Sequence, residues 1–229
     1  MEVINQRIFT EWCPPIPLQR IEEAGRTSYA SHDKACPGSE QKFVRGRVVA
    51  QHYSILEHVT LSLRMVTNIG VSREICRHRH ASITEQSTRY CDFGKQGVRF
   101  IRPVWWDEWS KGEQRAWTWH MTESEKMYKK MREMGSAPER AREFLPLATA
   151  TELVLTANLR EWRHIFALRA LGTTGRPHPQ MRALMLDGLK LASTLVDVVF
   201  DDLVREAVML GLVDAGEPEA VTDADVSAD

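Results

Sequence analysis

The sequence predicts a mixed α/β fold of the α+β type, a single domain with a small central sheet flanked by long helices. Short segments with apolar residues at alternate positions carry the strand part of that expectation, and longer segments with three-to-four-residue apolar spacing carry the helical part. The strands are few and separated by helices, the pattern of a mixed α/β or α+β domain. A chain of 229 residues is long enough to bury one sizeable core.

In chain order, EVINQRIF is a short strand, and PLQRIEEAGRTSY is a helix opened by Pro17 with Leu18, Ile21 and Ala24 on one face. SEQKFVRGRVVAQHYS is the next helix. In HYSILEHVTLSLRMV, Val59, Leu61, Leu63 and Met65 alternate with polar residues, as in a strand covered on one side. VSREICRHR spaces Val71 and Ile75 one helical turn apart, with Ser72 as its cap. VRFIRP is a strand ended by Pro103, which has no amide hydrogen to extend a ladder. From about 105 to 135, Trp117, Met121, Tyr128 and Met131 form a helical stripe that belongs to the core rather than to a cofactor box. PERAREFLP is a brief helix from Pro138 to before Pro146, and TELVLTANL is a strand that feeds the helix REWRHIFALRAL. The segment from Pro179 to about Leu210 predicts one long helix. Its Met181, Leu184, Leu191, Leu195 and Val198 recur at heptad-like intervals with Gly188 in the seam, a face for a subunit contact or for the core. The folded domain is expected over residues 1–212, and the acidic, apolar-poor tail at 213–229 is expected to be disordered.

Lys and Arg number 30 against 31 Asp and Glu, so no global field favours nucleic acid or an anionic membrane, and neither is expected as a partner. No run of about 18 apolar residues and no signal-peptide pattern is present, which predicts a cytoplasmic protein. Cys13, Cys36, Cys76 and Cys91 show neither a CxxC pair nor zinc-finger spacing, so free thiols are expected. His52, His58, His78 and His80 lack an HExxH or carboxylate-rich triad, and no metal is expected. Cys76 adjoins Arg77, which would lower a thiol pKa, but no relay residue accompanies it and an inert thiol is the better reading.

Basic residues gather in three places: Arg73, Arg77, Arg79 and Arg89; Arg140 and Arg142; Arg160, Arg163 and Arg169. Guanidinium forks suit phosphate, carboxylate or an ionised imide, and several of these adjoin apolar residues, where an arginine needs an anion. On a regular helix Arg160 and His164 share a face, while Arg169 lies roughly 140° further round from His164. In an extended STRY segment Ser87 and Arg89 project to one side, a hydroxyl and a guanidinium for one phosphate. There is no G-x-G-x-x-G or Walker loop, so a dinucleotide would be gripped by Arg, His and backbone amides.

The run Arg77-His78-Arg79, Ser82, Ser87, Arg89, followed by Tyr90, resembles the RHRxxSxxxxSxR signature of the flavin-dependent thymidylate synthases. HYSILEH, AREFLP, NLREWRHIFALR and HPQ at 178–180 stand in that family's order. The resemblance implies a homotetramer with active sites between subunits. It implies FAD as cofactor, dUMP as substrate, and NADPH and 5,10-methylenetetrahydrofolate as co-substrates. By position it implies FAD contacts at Ser54, Arg77, His78, Arg79, Glu85, Asn158, Arg160 and His164. It implies dUMP contacts at Glu74, Arg77, Glu85, Gln86, Ser87, Thr88, Arg89, Arg142 and Arg169, with Arg169 the catalytic residue that polarises the uracil. Glu74 stands where many members have Gln, Thr84 where Asn is common, and Pro179 interrupts the usual HAQ. Glu74 and Thr84 prompt an alternative, a relative that modifies another pyrimidine nucleotide or leaves a hydroxymethyl product.

Overall fold

The computed structural model describes residues 1–214, so most of the acidic tail lies outside the described residues. The elements run β1 (Glu2–Ile4), β2 (Arg7–Trp12), α1 (Pro17–Thr27), α2 (Ser39–Val49), a 3-10 turn at Tyr53–His58, β3 (Thr60–Asn68), α3 (Ile69–Ile75) and β4 (Ser82–Glu85). They continue with α4 (Phe93–Gln96), β5 (Arg99–Ile101), α5 (Lys111–Glu133), α6 (Pro138–Ala141), β6 (Ala150–Asn158), α7 (Leu159–Phe166), α8 (Pro179–Leu195) and α9 (Asp201–Met209). The fold is therefore mixed α/β. It divides into two compact units, one of Met1–Trp12, Ser62–Ala157 and His178–Leu184, the other of Cys13–Leu61, Asn158–Pro177 and the chain from Met185.

The first unit holds the strands. Four pair in the order β2-β3-β6-β4, and β1 pairs separately with β5 in parallel. β2 is antiparallel to β3, and β4 to β6. The Ile69 N–H donates to the Thr149 carbonyl at 3.0 Å and the Ser62 and Thr156 hydroxyls meet at 2.7 Å, a register that makes β3 and β6 antiparallel too. β3 was expected to be covered on one side only, but it is interior to the sheet, and Ser62, Val66 and Thr67 are buried along with Leu63 and Met65. Its polar positions are partnered across the sheet: Arg64 lies between Glu11, at 2.7 and 2.9 Å, and Glu152. Those hydrogen bonds hold the Glu11 carboxyl below the usual carboxylate range.

The stripe on α5 is core, as its spacing predicts: Met121 and Tyr128 join Phe93, Val98, Phe100 and Ala141, with Trp117 and Met131 packed against them. Its start carries a full capping box between Ser110 and Glu113. Pro179 opens α8, where a missing N–H costs no hydrogen bond. Gln180, 1% exposed, spends its side chain on structure, donating to Gln6 at 2.8 Å and accepting from the Val104 N–H at 2.9 Å.

In the second unit α1 and α2 approach closely at Gly25, where a Cβ would come within 2.7 Å of the Phe43 ring. Trp162 stacks on Phe166 at 5.2 Å, Phe166 meets Phe200 edge-on at 5.6 Å, and the Trp162 indole donates to the Leu61 carbonyl. The predicted single C-terminal helix is two. α8 stops at Leu195, Asp197 accepts the Val198 N–H at 2.8 Å, and Val198 takes a positive φ of 58°, after which α9 starts afresh. Of the heptad-like set, Met181, Leu184 and Val198 are buried and Leu191 and Leu195 half-buried, and Met185, Leu189, Ala192 and Val196 complete a buried stripe of 3.6-residue period. Among the described residues no helix is long and apolar enough to cross a membrane. All four cysteines are free thiols.

Candidate active site

In the first unit β3 passes directly into α3, and the junction is capped by Asn68, whose Oδ1 accepts the Val71 N–H at 2.8 Å. Ser72, the cap expected from the sequence, lies instead in the first turn, because the Ile69 N–H is already bonded to Thr149 and the helix begins there. Beyond Ile75 the backbone keeps winding, with Cys76 N–H on Ser72 O, Arg77 N–H on Glu74 O and His78 N–H on Ile75 O. That turn leaves Arg77 and Arg79 exposed on either side of His78, which is only 7% exposed. His80 is exposed. Partial burial and then the Glu85 carboxylate push the Cys76 thiol up, opposite to the lowering that Arg77 alone would give.

β4 ends at Glu85, and the Gln86 N–H donates to Glu152 O at 2.8 Å. The following STRY is not extended. The Ser87 carbonyl accepts from Tyr90 and Cys91, and its hydroxyl accepts from the Arg89 N–H at 3.3 Å, so Ser87 closes a turn of which Arg89 is part. The turn is braced by α6 and its continuation: Arg142 donates to the Thr88 hydroxyl at 3.0 Å, and Arg89 faces Glu139 at 3.6 Å. The Arg89–Glu139 pair is half exposed at both ends and correspondingly weak. On the far side Arg132 of α5 grips Asp92 through two bonds of 3.0 and 2.8 Å, and these hold the Asp92 carboxyl below its usual range. Thr88 and Arg89 thus lie on one anchored turn, and Arg142 reaches it from the end of α6. Glu85 is fixed beside it, with Oε1 accepting from the hydroxyls of Ser72 at 2.7 Å and Thr151 at 2.9 Å.

In the second unit Ser54 is exposed on the 3-10 turn. Asn158 repeats the role of Asn68: it ends a strand and caps a helix, its Oδ1 accepting the Glu161 N–H at 2.9 Å. Arg160 and His164 are both exposed one turn apart on α7, as expected, and Arg160 pairs with Glu57 at 2.5 Å. Arg163 is not available to a ligand. It is buried against Asp202, the Val199 carbonyl and the Tyr53 hydroxyl, and its charge lies 4.7 Å from the Tyr53 ring centroid. After Phe166 the helix widens into a π-helix over Ala167–Leu171, closed by the Gly172 N–H on Ala167 O and ended by Gly172 at φ 83°. The half-buried Arg169 sits in this wide turn, so the roughly 140° offset reckoned on a uniform α-helix does not hold.

Ser72, Thr151 and Glu57 were absent from the predicted set. Ser72 and Thr151 are ordinary hydroxyls far apart in sequence, and only the pairing of β4 with β6 brings Thr151 to Glu85. Among the described residues no group of three or more His, Cys, Asp or Glu is placed to hold a metal. Guanidinium forks suit phosphorylated ligands: the first unit has Arg89 and the Thr88 hydroxyl on one anchored turn, Arg142 bonded to that turn, and exposed Arg77 and Arg79 beside α3, while the second unit separately has exposed Arg160 and His164 on α7. The fold is mixed α/β, with exposed guanidiniums at these positions.

Residues 10–196 match the model of the thymidylate synthase complementing protein family, and the chain belongs to that family. A flavin-dependent thymidylate synthase of Mycobacterium tuberculosis is 29% identical over 202 residues, covering 80% of this chain and 78% of that protein. One from Pyrococcus abyssi is 37% identical over 174 residues, covering 67% and 66%. The fold is also that of a UMP/dUMP methylase, PolB, from Streptomyces cacaoi, solved with 5-Br dUMP. The TM-score is 0.76 at 22% identity, over 93% of this chain and 99% of that one.

Proposed function

We propose that this protein is a flavin-dependent thymidylate synthase that reductively methylates dUMP to dTMP. Methylenetetrahydrofolate is the one-carbon donor, and NADPH is the reductant acting through FAD. The observation that carries the reading is the anchored turn of Thr88, Arg89 and Arg142 within a chain of this family. That turn, with Ser87 and Gln86, holds the dUMP phosphate. Glu74, Arg77, Glu85 and Arg169 complete the nucleotide contacts, and Ser54, Arg77, His78, Arg79, Glu85, Asn158, Arg160 and His164 hold FAD. The bound flavin supplies hydride transfer, while the protein supplies orientation and electrostatics.

Arg169 stabilises the negative charge that develops at the N3/O2 edge of uracil as C6 accepts a hydride or nucleophile. Guanidinium stays protonated throughout, so the charge is in place before the reaction begins. No protein nucleophile is required, in keeping with the raised Cys76 thiol. The catalytic domain spans residues 1–212, and it works as a cytoplasmic homotetramer with its sites between subunits, with neither nucleic acid nor membrane as a partner.

Purified protein should be yellow and should release tritium from 5-tritiated dUMP only with folate and NADPH present. A colourless protein that cannot be reconstituted with FAD overturns the reading. A second reading, action on another pyrimidine nucleotide or a hydroxymethyl product, is favoured by Glu74 and Thr84 and by the likeness to a protein named a UMP/dUMP methylase. Product masses from parallel UMP and dUMP reactions separate the two.

A further inference from the structure

Glu85 is exposed, yet half of its carboxylate is committed. Oε1 receives the Ser72 hydroxyl at 2.7 Å and the Thr151 hydroxyl at 2.9 Å, and these donors are 1% and 3% exposed. The Ser72 oxygen also lies 3.2 Å from the Ile69 carbonyl, but its single hydrogen goes to the nearer, charged acceptor. Two buried hydroxyls therefore converge on one oxygen, and they come from different elements, the first turn of α3 and the second residue of β6. Glu85 is opposite Leu153 in the β4–β6 ladder, so Thr151 lies diagonally across on the same face. A side chain with three rotatable torsions is thereby held in one geometry, with Oε2 as its presented oxygen.

We propose that Ser72 and Thr151 are positioning residues for nucleotide recognition, clamping Oε1 of Glu85 so that Oε2 offers a fixed acceptor to a hydrogen-bond donor of the nucleotide. An ionised carboxylate only accepts, and it repels phosphate. The donor it meets is therefore a sugar hydroxyl or a ring N–H, while Arg89, Arg142 and Thr88 take the phosphate a few residues further along. The clamp orients the nucleotide end to end before any chemistry occurs. Its effect falls on binding and not on the developing transition-state charge, so it should appear in KM rather than kcat.

This inference rests on the dUMP reading, and one set of measurements separates their failures. Calorimetry of dUMP binding and steady-state tritium release are run on full-length, FAD-loaded wild type, Ser72→Ala, Thr151→Val, the double variant, and each of these in a Glu85→Ala background, with thermal melts as a check on folding. Each single variant should raise the dUMP Kd and KM by about 3- to 10-fold, and the double variant by about 10- to 30-fold, with kcat within about twofold. In the Glu85→Ala background the same substitutions should change the Kd by less than about twofold, because the carboxylate through which they act is gone. Wild type that binds no dUMP overturns the functional reading, and the clamp with it. Wild type that binds dUMP while the folded double variant binds equally well overturns the clamp alone, as does an undiminished effect without Glu85.

Discussion

Replacing Arg163 with leucine tests whether the second unit is stabilised by a buried ion pair rather than by apolar packing alone. The guanidinium, 7% exposed, donates to both oxygens of Asp202 at 2.7 and 2.6 Å, to the Val199 carbonyl, and to the Tyr53 hydroxyl at 3.1 Å. Removing one member of a buried pair costs about 3–5 kcal/mol. Asp202 keeps 40% of its side chain in water and can rehydrate, which brings its share toward about 2 kcal/mol. The lost stacking on Tyr53 and the orphaned Val199 carbonyl return about 1 kcal/mol of penalty. The expected destabilisation is about 3 kcal/mol, a fall in Tm of roughly 6–12 °C for a chain of this size. Calorimetric or circular-dichroism melts at pH 7 measure it, and a fall under about 2 °C would refute the reasoning. Burial pushes the Asp202 carboxyl up, but the Arg163 hydrogen bonds and charge outweigh it and hold the group below its usual range. A depressed acid stabilises fully above its unfolded pKa and loses that contribution as pH falls through its folded value. The gap between wild type and variant should therefore be full above about pH 4 and narrow below it, as the Asp202 share is lost.

Arg169→Ala should lose about 100- to 1,000-fold in kcat while its flavin absorbance is retained; loss of flavin with intact dUMP affinity would contradict the assignment. Arg160→Ala should weaken FAD retention measured by absorbance after gel filtration, whereas Glu57→Gln, which frees Arg160 from an exposed pair, should tighten FAD by no more than about fivefold. Cys76→Ser should keep its turnover, and iodoacetamide should alkylate Cys76 more slowly at pH 7 than a model thiol, since the thiolate fraction is reduced.

Much of the fold was legible because prolines and apolar periods act locally. Pro17 and Pro138 open α1 and α6, Pro103 follows β5, and Met121 and Tyr128 face the core as their spacing required. What failed was settled by partners distant in sequence. Ser72 is the cap that the local sequence suggests, and the bond from Ile69 to Thr149 starts the helix earlier, under Asn68. STRY is a local exception: it reads as extended, but the Ser87 hydroxyl accepts the Arg89 N–H and closes a turn. The widening of the helix at Ala167–Leu171 and the break at Asp197 and Val198 leave the apolar period of the sequence almost undisturbed, so neither is visible in it. The arginines of the site were plain from the signature. Which of them is structural was not, because Arg163 and Arg160 differ in what α9, Val199 and the 3-10 turn bring near them.

The division of the chain into segments bears on how it is made. Each unit is assembled from three stretches, and the first cannot be completed until His178–Leu184 has been synthesised. At about 5–20 residues per second, the early strands wait many seconds on the ribosome for their last partner. Contacts so far apart in sequence also slow closure, because loop entropy is lost before they form. Neither unit is a fragment that a protease could release intact, and a truncation near residue 157 would strand both.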